Sequence, residues 1–184
     1  MRQRLYDAAL SRFRADGYDD TSVAAICKEA GVAKGTFFNH FPSKADILAI
    51  WYGDAMDKAE KARSTGHPAS FRAALVEWPL IAVKLAAEEP ELWRAKHAHA
   101  PLSREIQTAE TNADNVVREN TLALLETVRA DGLLREVYDL PAIVELYLAT
   151  STGTIREWLN TGGHFDLADT LRSRIDTLVD LISA

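Results

Sequence analysis

The chain contains a single cysteine, Cys27, among its 184 residues. One cysteine excludes an intrachain disulfide and indicates a reducing compartment. The sequence also lacks any run of about 18 uncharged apolar residues, the length that crosses a bilayer, and it does not open on a cationic segment followed by an apolar one. We therefore predict neither a membrane span nor export, and we expect a cytoplasmic protein.

Motifs of catalysis and metal binding are missing as well. None of the HExxH, GxSxG or P-loop spacings occurs in the sequence. The nearest cluster of metal-ligating residue types is His97 and His99, preceded by Glu88, Glu89 and Glu91. Two residues two positions apart on a helix point about 200° away from each other, so both histidines cannot bind one ion. We predict no catalytic residue, no metal and no cofactor, and we disfavour an enzyme.

Basic charge is scarce in the chain as a whole, which has a net charge of −6. The acidic excess is uneven, because residues 1–63 carry a net charge of +1 and the remainder carry −7. A phosphate within a Debye length of about 8 Å feels only nearby charges. The lysines and arginines available for that role near the N-terminus are Arg2, Arg4, Lys28, Lys34 and Lys44. Any DNA binding by this part should be salt-sensitive.

The segment 21–44 has the pattern of two short helices joined by a glycine turn. The first helix follows Thr21 or Ser22, whose hydroxyls suit the free amides of a first turn, and it ends at Gly31. The second helix is predicted over residues 33–41, with Phe37 and Phe41 facing the core. Its outward side chains are then Lys34, Thr36, Asn39 and His40.

These outward residues are of the types that bind DNA. Lysine neutralises phosphate, and asparagine and threonine bind base edges or phosphate oxygens. His40 is equally suited to bind a phosphate or to cap a local carbonyl. Pro42 ends the helix, Ser43 can cap the next one, and Lys44 stands at its first turn. The pattern predicts a helix-turn-helix whose second helix enters a DNA groove.

The order of motifs over residues 5–48 resembles the TetR family of transcriptional regulators. The resemblance is carried by residues 5–10, 17–18, 30–32, 34–36, 40–41 and 43–44. It implies DNA contacts at Thr21, Ser22, Ala33, Lys34, Gly35, Phe38, Asn39, His40 and Lys44, to which the helical pattern adds Thr36. The chain departs from the family at Ala33, where serine is frequent, and at Phe38, where tyrosine often donates to a phosphate. Phe38 can instead touch a thymine methyl group.

Helical spacing continues through the rest of the chain, so the sequence predicts an all-α protein of about nine helices. We expect a three-helix DNA-binding domain over residues 1–46 and a larger regulatory and dimerisation domain over residues 47–184. A connecting helix is predicted over residues 47–62, and turn-forming residues break the pattern at 64–68.

The last two predicted helices carry more apolar residues than one partner helix covers. We predict that they form a two-fold four-helix interface between two copies, because paired recognition helices must reach major grooves about 34 Å apart. The predicted interface residues are Ile143, Leu146, Ile155, Trp158, Leu171, Ile175 and Leu178. Internal packing of the same residues is the alternative.

A ligand site is predicted among the middle helices, where aromatic residues accompany a few polar ones. Its candidate lining residues are Phe71, Leu75, Trp78, Trp93, His97, Asn120 and Tyr147. Pro79 lies inside a helical pattern and frees the carbonyl of Leu75. The resemblance implies an unknown small-molecule effector, which we expect to be mainly apolar and to relieve repression at a palindromic DNA operator. A helical ligand- or protein-interaction module that has lost DNA binding is the alternative.

Overall fold

The computed structural model describes residues 1–66 and 68–184. Over these residues the chain forms nine α-helices and one short 3₁₀-helix, which confirms the predicted all-α fold. The helices are α1 (Arg2–Asp16), α2 (Val23–Ala30), α3 (Lys34–Phe38), α4 (Lys44–Thr65), α5 (Phe71–Glu88), α6 (Pro90–His99), the 3₁₀-helix (Ala100–Leu102), α7 (Arg104–Ala130), α8 (Leu140–Asn160) and α9 (Leu167–Ile182).

Side-chain caps fix several of these helix starts. Ser22 accepts a hydrogen bond from the amide of Ala25 at the start of α2. Ser70 caps α5, Asp139 caps α8 and Asp166 caps α9 in the same manner. These caps occupy free amides of the first turn. The predicted break at 64–68 includes His67, which lies outside the described residues.

One compact unit comprises residues 1–54 and 89–110 and is called the N-terminal unit below. Its core is built from side chains of α1, α2, α3, α4, α6 and α7. The fully buried members include Leu5, Phe13, Ile26, Phe37, Phe41, Ile47, Leu92 and Ile106. The sequence did not predict that residues 89–110 pack with the N-terminal helices.

The second compact unit, the C-terminal unit, comprises residues 55–88 and 111–184. In it α9 packs against both α5 and α8. The chain end is tied down as well, since the amide of Arg135 donates to the carbonyl of Ile182 at 2.9 Å and the amide of Ala184 donates to the carbonyl of Leu133 at 3.0 Å. These bonds hold the loop before α8 beside the end of α9.

Pro79 lies within α5 and has no amide hydrogen to give the carbonyl of Leu75. The hydroxyl of Tyr147 donates to that carbonyl at 2.8 Å. Tyr147 is fully buried, and burial raises the pKa of its phenol. A side chain of α8 thus supplies the hydrogen bond that the proline removes from α5.

Candidate DNA-binding interface and regulatory surfaces

Gly31 makes the turn between α2 and α3. Its φ of 63° lies in the left-handed region, which a residue without a Cβ adopts at little cost. The amide of Gly31 donates to the carbonyl of Lys28 at 3.2 Å, and the amide of Val32 donates to the carbonyl of Cys27 at 3.0 Å. The two bonds form a Schellman motif, which ends α2 at Ala30. The predicted turn is confirmed.

The cations near this turn are not all available to a ligand. The guanidinium of Arg4 donates to the carbonyl of Ala30, at the end of α2 where the helix dipole favours a positive charge. Arg2 lies over the ring of Phe41, with 5.1 Å between the guanidinium carbon and the ring centroid. Lys28 and Lys34 are exposed. These two lysines therefore provide the accessible positive charge of α2 and α3.

The two faces of α3 differ as predicted. Phe37 and Phe41 are fully buried, which confirms them as core residues. The exposed residues around α3 are Ala33, Lys34, Gly35, Phe38 and Asn39. Thr36 and His40 are partly exposed, and Ser22 at the start of α2 is exposed. The core side chains thus hold α3 while its other face is open to a partner.

Helix α3 is shorter than the predicted range of 33–41. It ends at Phe38, with Asn39 as its C-cap, and the amide of His40 bonds back to the carbonyl of Phe37 at 2.9 Å. Pro42 disfavours helical geometry at Phe41, the residue before it, and so excludes the end of the predicted range, but the helix ends three residues earlier still. His40 therefore lies in a tight turn just after the helix.

The side chains of Lys44 and Thr21, which the sequence analysis assigned to DNA contacts, make hydrogen bonds within the N-terminal unit. The ammonium of Lys44 donates to the carbonyls of Tyr18 and Thr21, both at 2.7 Å, and lies 4.4 Å from the centroid of the Tyr18 ring. Partial burial lowers the pKa of Lys44. Thr21 is 2% exposed, and its hydroxyl donates to the carbonyl of Gly17 at 2.7 Å. Both side chains hold the loop between α1 and α2.

Helix α6 is tied to α1 and α4 at its start. Glu89, just before α6, accepts two hydrogen bonds from the guanidinium of Arg14, at 2.6 and 3.1 Å, and one from the indole of Trp51 at 3.4 Å. Trp93 of α6 stacks edge-on against Trp51 and Tyr52. These contacts join α6 to α1 and α4.

The end of α6 is fixed in the same unit. His99 lies 2.9 Å from the carboxylate of Asp19, and its ring centroid is 4.6 Å from that of Tyr18. Burial, with smaller contributions from Asp19 and Asp46, raises the pKa of Tyr18 to about 12. Sequence periodicity did not reveal these contacts, because they join residues about 80 positions apart.

The family model described as bacterial regulatory proteins, tetR family, matches residues 5–49. This span holds most of α1, all of α2 and α3, and the start of α4. Residues 5–49 of the chain therefore match the tetR family over the helix-turn-helix.

Similarity to TetR-family proteins extends over nearly the whole chain. The fatty acid metabolism regulator protein of Bacillus subtilis (strain 168) is 23% identical over an alignment that covers 96% of this chain and 92% of that protein. The chain also resembles the crystal structure of FadR from Thermus thermophilus, a TetR-family transcriptional repressor in complex with lauroyl-CoA. The two sequences are 21% identical, the TM-score is 0.75, and the alignment covers 97% of this chain and 93% of that chain.

A second solved structure, of the transcriptional regulator FadR from Bacillus subtilis in complex with stearoyl-CoA, is also 21% identical with a TM-score of 0.75. It covers 97% of this chain and 98% of that chain. These likenesses show that the chain has the fold of TetR-family proteins, a helix-turn-helix followed by a helical C-terminal part. The proteins that it resembles are transcriptional regulators, which are not enzymes.

The predicted ligand-site residues of the chain fall into two groups. Trp93 and His97 belong to the N-terminal unit, and the others belong to the C-terminal unit. Leu75, Trp78 and Tyr147 are buried, and the amide of Asn120 donates to Glu60 at 3.3 Å. Phe71 at the start of α5 is partly exposed. The structure therefore places most of the predicted aromatic residues in the cores of the two units.

A groove of about 720 Å³ runs along α5 and α9 in the C-terminal unit. Its apolar lining consists of Pro68, Ala73, Val76, Leu80 and Ile81, and its charged lining consists of Arg72, Glu77, Lys84, Arg172 and Asp176. Arg72 pairs with Asp176 at 3.0 Å and with Asp180. Lys84 and Arg172 form no ion pair among the described residues. The sequence analysis missed this groove, although helical spacing places the apolar residues on one side of α5.

The predicted dimer residues are mostly covered by their own chain. Ile143, Ile155, Leu171 and Ile175 are buried where α8 and α9 pack, so they have no free surface for a second copy. Trp158 and Leu178 are partly exposed, and Leu146 is 58% exposed. Of the predicted set, Leu146 is the most accessible, and the four buried residues belong to the core of the C-terminal unit.

His97 and His99 were weighed above as metal ligands. Within residues 1–66 and 68–184, no three histidine, cysteine, aspartate or glutamate side chains are grouped to hold a metal ion. Over the same residues, no helix combines the length and apolar character needed to cross a membrane.

Proposed function

We propose that this protein is a repressor that binds a palindromic operator in double-stranded DNA as a homodimer, and that a small, mainly apolar effector releases it. The exposed face of α3, held by buried Phe37 and Phe41, carries the proposal. We propose residues 1–46 as the DNA-binding domain and residues 47–184 as the regulatory domain. Since its target is chromosomal DNA, we place the protein in the cytoplasm.

The polar groups around α3 suit a duplex. Lys34 supplies a mobile positive charge for phosphate, and Asn39 supplies an amide that can both donate to and accept from a base edge. Gly35 has no atom within 4 Å of the position that a Cβ would take, so the helix surface there is open. Of the remaining proposed DNA contacts, Ser22 and His40 suit phosphate oxygens. Thr21 and Lys44 act indirectly in this proposal, by fixing the loop from which α2 begins.

A salt-dependent gel-shift with the protein's own upstream DNA tests this function. Lys34→Ala should weaken binding to every site by a similar factor and lower the slope of log affinity against log salt by about 0.9 for each subunit. Lys61→Ala, which removes an exposed lysine of α4 far along the chain, is the matched control and should change neither quantity. If no shift occurs at low salt, the helical interaction module becomes the better interpretation.

The proposed dimer surface uses exposed apolar residues of the C-terminal unit. Leu146 of α8 is 58% exposed and Leu181 of α9 is 56% exposed. Along α8, Ala142, Ala149 and Gly153 share the face of Leu146 at helical spacing, and such small residues let another helix approach closely. The loop before α8 carries further exposed apolar residues: Leu133, Val137 and Tyr138. A second copy that covers these residues would take exposed apolar side chains out of water.

The solution mass tests the dimer. We expect twice the chain mass of 20.4 kDa by light scattering at micromolar concentration. Leu146→Asp should shift the mass toward that of a monomer, because a buried unpaired carboxylate is costly in an interface. Leu102→Asp is the matched control, since Leu102 is 86% exposed in the N-terminal unit and should leave the mass unchanged. A monomeric wild-type protein would contradict the proposal.

We further propose that the effector is a fatty acyl compound such as an acyl-CoA thioester. Two proteins of the same fold carry lauroyl-CoA and stearoyl-CoA in their structures. The groove on the C-terminal unit suits an anionic molecule with a long tail, because Val76, Leu80 and Ile81 offer apolar surface beside Lys84 and Arg172. Such a ligand changes DNA affinity only through its different affinity for the two states of the protein.

Titration of the DNA complex with lauroyl-CoA tests the effector, with coenzyme A alone as the control without a tail. Release by lauroyl-CoA and not by coenzyme A supports an acyl effector. The double change Lys84→Glu and Arg172→Glu should raise the required concentration about tenfold, since each exposed charge pair contributes up to about 1 kcal/mol. Lys61→Glu is the control for charge reversal. If the double variant responds like wild type, the groove is not the site.

A further inference from the structure

The exposed face of α3 ends in an apolar ring. Phe38 is 48% exposed, whereas Phe37 and Phe41 on either side of it are fully buried. Of the six phenylalanines in the chain, Phe38 is the one that is classed as exposed. Leaving about half of a phenylalanine side chain in water forgoes about 0.7–1.5 kcal/mol of burial free energy. The core does not explain this placement.

The orientation of the Phe38 ring is set by its neighbours. It meets the buried ring of Phe37 edge-on, with centroids 5.3 Å apart and planes at 82°. The ammonium of Lys34, one turn earlier, lies 6.0 Å from the Phe38 centroid. Because Phe37 is fixed in the core, this edge-on contact orients the Phe38 ring. Asn39, the next residue and the C-cap of α3, is also exposed, so both side chains are open to a partner.

A phenylalanine has no hydroxyl to donate to a phosphate, so it must contribute through apolar contact. In the major groove, the apolar group on a base edge is the C5-methyl of thymine. We propose that Phe38 selects thymine at one position of each half-site by packing against this methyl group. The inference rests on the proposed DNA-binding function and adds the base that this residue specifies.

The size of the effect follows from one methyl group. Burying a methylene-sized group contributes about 0.8 kcal/mol, which at 1.4 kcal/mol per factor of ten corresponds to about a fourfold change in affinity. Two half-sites in a dimer complex give roughly a 15-fold change when both methyl groups are removed, because well-separated positions are nearly additive.

Replacing thymine by deoxyuridine tests the proposal, since it removes the methyl group and leaves the base pair intact. Operator fragments are first selected from random duplexes, and each thymine is then replaced in turn while the dissociation constant is measured by fluorescence anisotropy. Wild-type protein should lose about fourfold at one position in each half-site. Phe38→Ala should bind less tightly overall and show equal affinity for thymine and deoxyuridine at that position.

A cytosine series separates the methyl group from the rest of the base. With cytosine at the sensitive position, 5-methylation should restore affinity to wild-type protein and have no effect on Phe38→Ala. Because Phe38 is exposed, the variant should keep the wild-type circular dichroism spectrum and melting temperature, and its response to Lys34→Ala should be retained.

Three results would overturn the inference. These are equal binding of wild-type protein to thymine and deoxyuridine at every position, a selected half-site without thymine, or a deoxyuridine penalty that Phe38→Ala keeps in full. Failure of the proposed function is distinguishable, because the protein would then select no fragment at all.

Discussion

Replacing Lys44 by alanine should lower the stability of the fold and not only the affinity for DNA. The side chain gives two charge-assisted hydrogen bonds to the carbonyls of Tyr18 and Thr21 and covers the Tyr18 ring. Lys44→Ala removes all three interactions at once. The loop between α1 and α2 then loses its link to the first turn of α4.

The magnitude follows from the contacts. A hydrogen bond to a charged group contributes about 1.5–3 kcal/mol, but both bonds come from one partly exposed ammonium and water can replace part of each. We therefore expect Lys44→Ala to lower the free energy of unfolding by about 2–3 kcal/mol. For a chain of this size each kcal/mol lowers the melting temperature by about 2–4 °C, which gives a decrease of about 4–12 °C.

Urea and thermal unfolding, followed by circular dichroism, measure this change. Lys34→Ala is the matched control because Lys34 is exposed, and its free energy of unfolding should stay within about 0.5 kcal/mol of wild type. The reasoning is refuted if Lys44→Ala is as stable as wild type while its affinity for all DNA sites falls tenfold or more. Lys44 would then be a phosphate ligand, as the sequence pattern alone suggests.

Two further predictions concern buried tyrosines. Tyr147→Phe should lower the free energy of unfolding, measured in urea, by about 1–3 kcal/mol, because it leaves the carbonyl of Leu75 unpaired. In a Pro79→Ala background the loss should be smaller, since residue 79 then has an amide for that carbonyl. An equal loss in both backgrounds would contradict this explanation. Tyr18 binds its proton more tightly when folded, so stability should fall by on the order of 2 kcal/mol as pH rises from about 10, where the unfolded phenol ionises, to about 12. Tyr18→Phe should remove this part of the decline and change little at pH 7, and an unaltered alkaline decline would exclude Tyr18 as its source.

Local signals predicted the helix-turn-helix well. Gly31 and Pro42 act on the backbone within a residue or two, so their effects on α2 and α3 follow from the sequence. The burial of Phe37 and Phe41 follows from helical spacing in the same manner. The inward roles of Thr21 and Lys44 did not follow, because Lys44 reaches the carbonyl of Tyr18, 26 residues earlier, along a flexible side chain.

The regulatory part was less predictable for a different reason. Apolar stripes on α8 and α9 predict burial but do not identify the surface that covers them. Ile143 and Ile175 are covered by their own chain, whereas Leu146 on the same pair of helices is exposed. Similarly, Trp93 and Tyr147 belong to different compact units. Helical periodicity does not predict which distant segments of the chain form one unit.

The hydrogen bonds that Arg14 and Trp51 donate to Glu89 bear on how such proteins can be recombined. An operator-reading module cut out at a single point after residue 54 would leave Tyr52 without Trp93 and Arg14 without its carboxylate. Swapping specificity between two homologues would therefore require transplanting two separate stretches, 1–54 and 89–110, together. A chimaera that receives residues 1–54 alone should express poorly, even if its recognition helix carries all the residues that contact DNA.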